Sequence, residues 1–427
     1  MTEPASMSTN SDMDLWFEVL NSSFYQAMLE HLFELFCLTR SAKDNPSAIL
    51  DAQVTACAYL LSFQKARAEA KSRNGRVDAA IANRLILILK NIFDALAWRV
   101  LGYDRLILQQ MAEHHNTGYL DDTVRDDLTW AKLITDHEGA TVLVNDLTHI
   151  LRYGDLLIIK DGKYNIVENK HGKASQKDRR AKRQRESLNE LKNFLRMGIR
   201  LTEDGRDFLF RANVSAKSYH SLVTEVIKQA KEHEHGYLQR ILSDCVALEV
   251  FWLGAQDTPL LQNPPFYRKN HVFRFSNIHI LDKPITRVAP YGVFPFDEQT
   301  CFELITGEVQ LFLSLDLDSL QQRYHRFGLS LEFPMQITKE KANIYAVASM
   351  GERKKLLDRY DIKISDREYV FSSSLAHFCP LFIELLQEDT LIEADRQLIN
   401  LLRASRIVDT TLTGIYTGYG DESTLWR

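Results

Sequence analysis

Three residues near the ends of one short stretch have the types and spacing to do chemistry together: Asp155, Glu168 and Lys170, in GDLLIIKDGKYNIVENK from Gly154 to Lys170. The Asp161-Gly162 dipeptide between apolar runs predicts a two-residue type I′ hairpin turn, which needs positive φ at both positions. With Lys160 opposite Lys163, the register carries Ile159 to Tyr164, Leu157 to Ile166 and Asp155 to Glu168. Directly opposed residues leave a sheet on the same face with Cβ atoms about 4.5–5.5 Å apart, and Lys170, two positions on, shares that face. Like charges so placed are unfavourable without a compensating cation. A divalent ion such as Mg2+ or Mn2+, held by carboxylates and water, offsets them. Such an ion acidifies its water and neutralises charge on a phosphoryl oxygen, while an adjacent ammonium orients or deprotonates the nucleophile. The reaction this suits is phosphodiester hydrolysis.

Several elements must position these groups. The other hairpin face, Leu156, Ile158 and Val167, is also apolar, which predicts strands buried on both sides within a helix-covered sheet. TVLV at 141–144 reads as the preceding strand, NRLILILKNIFDALAWRVLG as a buried helix against the sheet, and RDFLFRANV at 206–214 as the next core strand. From Asp178, DRRAKRQRESLNELKNFLRMG is rich in helix formers and reaches a C′ glycine at Gly198. Gln184 is the polar member of that helix's apolar row of Ala181, Leu188, Leu191 and Leu195, so it is expected to face the sheet and find partners at the carboxylate-lysine site. The opposite side carries Arg179, Arg180, Lys182, Arg183 and Arg185, after Lys173 and Lys177. In a chain of net charge −5 this is a local basic patch, open to phosphate contacts or to simple solvation.

These residues resemble the PD-(D/E)XK, or restriction-endonuclease-like, nuclease superfamily over at most residues 80–215. Asp155 is similar to the superfamily's metal-binding aspartate on the second core strand, and Glu168-Asn169-Lys170 to its (D/E)-X-K on the third. Gln184, preceded by Arg183, is similar to the glutamine many members carry on the following helix. The resemblance implies an α/β core of helix, three-stranded meander, helix and strand, its mixed central sheet flanked by helices. It implies Mg2+ or Mn2+ held by Asp155, Glu168 and the backbone carbonyl of Asn169, water activated by Lys170, and a site supported by Gln184. Lys173, Arg179, Arg180 and Arg183 would hold the phosphate backbone without reading sequence. Two departures stand out: Gly154 occupies the position where many members have proline, and the acidic residue common on the first helix has Asp94 as its candidate. The implied biology is an endonuclease acting on DNA in preference to RNA, in restriction or antiviral defence, working as a homodimer or with a partner protein through its C-terminal domain.

Two other readings stay open at this level. Lys170 could pair with both carboxylates in a salt-bridged hairpin that binds no metal. Alternatively, the chain keeps the fold as a non-catalytic nucleic-acid-binding or assembly protein, with the helical N-terminus as its interface.

The wider sequence sets bounds. Its 427 residues, 45% hydrophobic, are enough for two or three domains. The expected organisation is a flexible N-terminus at 1–12, a helical region at 13–79, the nuclease domain at 80–215 and an α+β domain at 216–427. Within the helical region, FYQAMLEHLFELF and AQVTACAYLLSF have helical spacing, and KSRNGRVD at 71–78 divides the helices. Beyond 216, SLVTEVIKQAKEHEHGYLQRIL reads as a helix and CVALEVFWLG as a strand. The five cysteines, Cys37, Cys57, Cys245, Cys301 and Cys379, are scattered and lack CxxC spacing, which argues against a disulfide framework or zinc site and for the cytoplasm. The acidic, polar start and the lack of a long apolar run give no secretory or membrane signal. His233 and His235 read as a polar helix end, Asp318 as a helix cap with Gln321 at the capping-box position, and the tail with Tyr416, Tyr419 and Trp426 as flexible or self-packed. A Walker loop, a GxSxG elbow and a Cys/His nucleophile signature are all lacking, so ATP-driven motion and acyl transfer have no support.

Overall fold

The computed structural model describes residues 15, 17–42, 45–112, 124–167, 179–202, 205–255, 265–266, 269, 271–276, 290–333, 344–345, 361–404 and 412–419. The class is mixed α/β with small sheets. Two compact units divide the chain: residues 1–100 with 114–178, and residues 101–113 with 179–427. These units do not coincide with the ranges read from the sequence. Among the described residues, no helix is long and apolar enough to cross a membrane.

The first unit is built from α1 (Ser23–Ser41), α2 (Pro46–Ser72) and α3 (Arg76–Val100), then, after α4 (Arg105–Ala112) of the second unit, α5 (Val124–Glu138), β1 (Thr141–Val144), β2 (Leu156–Lys160) and β3 (Lys163–Val167). Each helix start has a local cause. Ser22 accepts from the Tyr25 amide, and Asn45 accepts from the Ser47 and Ala48 amides ahead of Pro46 in the first turn. The break between α2 and α3 falls at Asn74, with φ 56°, inside the polar KSRNGRVD segment. At the end of α1 the Arg99 guanidinium binds the Thr39 and Arg40 carbonyls, a cation on the negative end of a helix. Ile88, Leu89, Ile92, Leu96 and Trp98 of α3 are fully buried, as its apolar sequence requires.

The sheet of this unit has the order β1-β2-β3, both ladders antiparallel. β1 is an edge strand, and an edge strand leaves alternate backbone groups without a partner. Gln53 of α2, completely buried, supplies it: its Nε2 donates to the Val142 carbonyl and its Oε1 accepts from the Val144 amide, both at 2.7 Å. One side-chain amide thus does the work of one residue of a further strand. The N-terminal helices and the hairpin belong to a single unit partly for this reason.

The second unit contains α4, α6 (Arg179–Met197), β4 (Ile199–Thr202), β5 (Gly205–Ala212), α7 (His220–Glu232), β6 (Tyr237–Ile241), β7 (Val246–Trp252), β8 (Val272–Ser276), α8 (Glu298–Thr306), β9 (Val309–Asp316), α9 (Leu317–Arg326), β10 (Ser330–Glu332), β11 (Ile344–Tyr345), β12 (Asp361–Ser365), β13 (Val370–Ser374), α10 (Cys379–Ile383), α11 (Glu388–Ala404) and β14 (Leu412–Tyr419). Its main sheet runs β11-β8-β9-β7-β6, with smaller sheets β14-β5-β4 and β10-β12-β13. Val246, Leu248 and Val250 of β7 and Leu311, Leu313 and Leu315 of β9 form the buried apolar face, on which α7 lies with Gln229 3.0 Å from Arg240 of β6.

Three sequence expectations are corrected here. The strand at 206–214 does not extend the hairpin sheet: β5 pairs with β4, its hairpin neighbour, and in parallel with β14. The tail segment around Tyr416 and Tyr419, read as flexible or self-packed, is self-packed as this strand, with Tyr419 wholly buried under the Arg105 guanidinium, while Trp426 lies outside the described residues. The long helix expected after 220 ends at Glu232; Gly236, at φ 59°, turns the chain, and YLQRI becomes β6. The cap of α9 is Asp316, two residues before the expected Asp318, and it accepts from the Asp318 amide and the Ser319 hydroxyl.

The Gln53 contact predicts a large effect for a small change. Gln53→Leu keeps the volume but leaves two buried backbone groups unpaired, each costing ~1–3 kcal/mol. The urea midpoint of the full chain falls accordingly, by several times more than for an exposed α2 change such as Gln64's neighbour Lys65→Leu.

Candidate metal centre

The hairpin that carries the predicted site forms with the expected register. Lys160 faces Lys163, Ile159 faces Tyr164, Leu157 faces Ile166 and Leu156 faces Val167. Asp161 and Gly162 sit at φ 51° and 70°, the backbone a type I′ turn demands. Asp155 follows the ladder on one side only. Its carbonyl accepts from the Asn145 amide at 2.9 Å, in step with the β1-β2 pairing, but its own N–H goes to the Val167 carbonyl at 2.9 Å, one residue off the β2-β3 register. A bulge of this kind re-aims the side chain at the end of a strand.

Gly154 makes the bulge possible. Its φ is 66°, and a Cβ there would lie 2.7 Å from Ile166 Cγ2 and 2.8 Å from the Val167 carbonyl oxygen. Proline, confined to φ near −65°, does not fit this position. Asp155 itself is half-buried at the end of the strand.

Beneath Asp155, the turn from Asn145 to Tyr153 is tied down from two directions. Asn145, 2% exposed, donates from Nδ2 to the carbonyls of Tyr153 (2.7 Å) and Gly154 (3.2 Å). Thr148 closes the turn from within, its amide and hydroxyl on the Asn145 carbonyl and its oxygen accepting from the Leu151 amide. From α3, Asp94 accepts the amides of His149 (2.7 Å) and Ile150 (3.1 Å) on one oxygen and the His149 imidazole at Nδ1 (2.9 Å) on the other. A carboxylate only accepts, so Nδ1 carries the proton. Three donors make Asp94 the anchor of this turn.

The electrostatics of the anchor are those of buried charge. Burial pushes His149 below its ordinary value, opposed by the Asp94 carboxylate. Burial also takes the Lys90 ammonium, one turn from Asp94 on α3, down to about 8, with Arg152 adding to the effect and Asp146 and Asp94 opposing it.

The remaining predicted residues are less fully described. Glu168, Asn169, Lys170 and Lys173 lie outside the described residues. Arg179, Arg180, Arg183 and Gln184 occupy the N-terminal half of α6, whose helical span and terminal Gly198 (φ 70°) match the sequence expectation; their side chains are outside what the structure describes. Asn145, Gln53 and His149 had no signal in the sequence strong enough to single them out.

A second group with ligand-type atoms occurs in the other unit, where Asp244, Cys245 and Glu388 converge within 4.8 Å. Its donor set does not suit a cation. Glu388, fully buried, already accepts from Tyr219, Ser243 and the Cys245 thiol, and Arg323 lies 4.0 Å from it and 2.5 Å from Asp244. Burial first, and the Glu388 charge second, hold the Cys245 thiol far above its usual value, whereas a metal needs the thiolate. These contacts seat the start of α11.

No family model, curated protein or solved structure matches this chain.

Two measurements test this region. Gly154→Ala imposes both a left-handed φ on a side chain and a clash with β3; a loss of ~1–3 kcal/mol or more in unfolding free energy is expected from urea titration. Between pH about 8 and the unfolded value near 10.5, the unfolded chain keeps a proton on Lys90 that the folded chain has lost. Stability therefore rises with pH across that window, by an amount on the order of 3 kcal/mol. Lys90→Met removes that rise.

Proposed function

We propose that this chain is a nuclease that hydrolyses phosphodiester bonds of DNA, in preference to RNA, with Mg2+ or Mn2+. The observation that carries the reading is the bulge at Gly154-Asp155, which presents a half-buried carboxylate at the end of a strand whose hairpin partner leads directly into Glu168-Asn169-Lys170. A half-buried carboxylate on a rigid strand end is a suitable oxygen ligand for a hard divalent cation.

In this reading Asp155, Glu168 and the Asn169 carbonyl hold the ion. When bound, the ion supplies Lewis acidity at the phosphoryl oxygen and a more acidic water. Lys170 orients the attacking water and takes or shares its proton, and Gln184 has, by the superfamily resemblance alone, the part of a supporting glutamine. Lys173, Arg179, Arg180 and Arg183 hold the phosphate backbone by charge, so binding weakens steeply with salt and ignores sequence. A role in restriction or antiviral defence, and assembly as a homodimer or with a protein partner, follow from the superfamily resemblance.

Incubation of the purified chain with plasmid, single-stranded DNA and RNA, in Mg2+ or Mn2+ and in EDTA, tests the reading. Metal-dependent cleavage of DNA, lowered at least ~100-fold in Asp155→Ala and Lys170→Ala, is expected. Binding without cleavage in either metal, unchanged in both variants, would replace the nuclease with a nucleic-acid-binding protein.

A further inference from the structure

We infer that Asn145 is the positioning residue for Asp155, an assignment that rests on the nuclease reading above. Asn145 governs three successive carbonyls: its backbone amide holds that of Asp155, and its Nδ2 holds those of Tyr153 and Gly154. It is itself immobilised, buried to 98% of its surface by the 2% exposure, with its own carbonyl bonded twice by Thr148. On the other side the Asp155 amide is held by Val167. The aspartate backbone is therefore clamped at both its N–H and its C=O, and the residues that lead into it are fixed by a single carboxamide.

The bulge would not hold its shape by itself. Gly154 has the widest backbone freedom of any residue, and its left-handed φ is selected here by the Nδ2 bond to its carbonyl and by its contact with β3. Removal of the Nδ2 donor, with the shape of the side chain retained, frees the Tyr153 and Gly154 carbonyls and turns the bulge into a mobile hinge under the metal ligand. Asn145→Asp does this, since an isosteric carboxylate faces two carbonyl oxygens with no proton to offer. Side-chain volume is kept, so beside the loss of stability from the buried, unpaired carboxylate the effect at Asp155 reads out as the metal affinity of the folded chain.

The test uses the full chain and Mn2+ alone as probe, with affinity from titration calorimetry and the rise in melting temperature on Mn2+ addition as a second readout. Wild type is expected to bind Mn2+ and Asp155→Ala to lose it. Asn145→Asp, measured as the folded chain below its own melting transition, is expected to bind Mn2+ ~10–100-fold more weakly, the size of effect seen when an outer support of a metal ligand is removed, with a lowered metal-free melting temperature from the buried carboxylate and the two unpaired carbonyls. Asn145→Ser, which keeps a single hydroxyl donor, falls between the two and serves if the aspartate variant does not fold. Wild-type Mn2+ affinity in Asn145→Asp overturns the assignment and leaves the nuclease reading intact; unfolding of both Asn145 variants overturns it in favour of a purely structural residue. An absence of Mn2+ binding by wild type removes the nuclease reading, and the assignment with it.

Discussion

The hairpin sheet of the first unit depends on the Gln53 amide. Three short strands cannot bury both faces and satisfy an open edge by themselves, and β1, four residues long, has its outward carbonyl and amide inside the protein and not in water. A buried, unpaired peptide group costs as much as a buried hydrogen bond contributes several times over, so the edge must be capped or exposed. Gln53 caps it from a helix. That fixes the distance and angle between α2 and β1, and through the two ladders it fixes β2 and the turn at Asp161-Gly162.

With the sheet anchored on one side, the delivery of Asp155 becomes a question of the turn from Asn145 to Gly154. This turn is short of regular hydrogen bonds and is held by side chains: Asn145 and Thr148 from within, Asp94 from α3. Local backbone strain of this kind persists only where surrounding contacts over-determine it. Buried Asp94, Lys90 and Arg152, with half-buried Asp146 beside them, form a balanced set of charges, and such a set adds specificity of arrangement more than net stability.

The sequence was legible where one residue type has one physical outcome. An Asp-Gly pair between apolar strands has few alternatives to a type I′ turn, which gave the register from Lys160-Lys163 up to Leu156-Val167. Gly198 after a run of helix formers ended α6 where a left-handed residue is needed. The turn of the Asp155 N–H to the Val167 carbonyl was not legible, because it depends on contacts from Asn145 and Ile166 that no count of residues along β2 contains. Gln53 was illegible for the converse reason: a glutamine on a helix reads as solvent-facing, and its partner lies far along the chain in β1. Asp94 was picked out as an acid on a buried helix, and in the structure it is engaged with the His149 and Ile150 amides and the His149 imidazole. The TGIYTGY segment carries glycines and alternates weakly, so its pairing with β5 was invisible without the tertiary partner.

The pairing of β14 with β5 has a consequence for biosynthesis. β5 and β4 are made early and lie next to each other, but the parallel partner of β5 comes from the last described stretch of the chain. While a ribosome works through the intervening segments, β5 has an open flank that can recruit a strand from a neighbouring nascent chain. Closing that flank only at the end makes this small sheet the slow, long-range step of the second unit, and the place where a chaperone that shields strand edges would act to greatest effect.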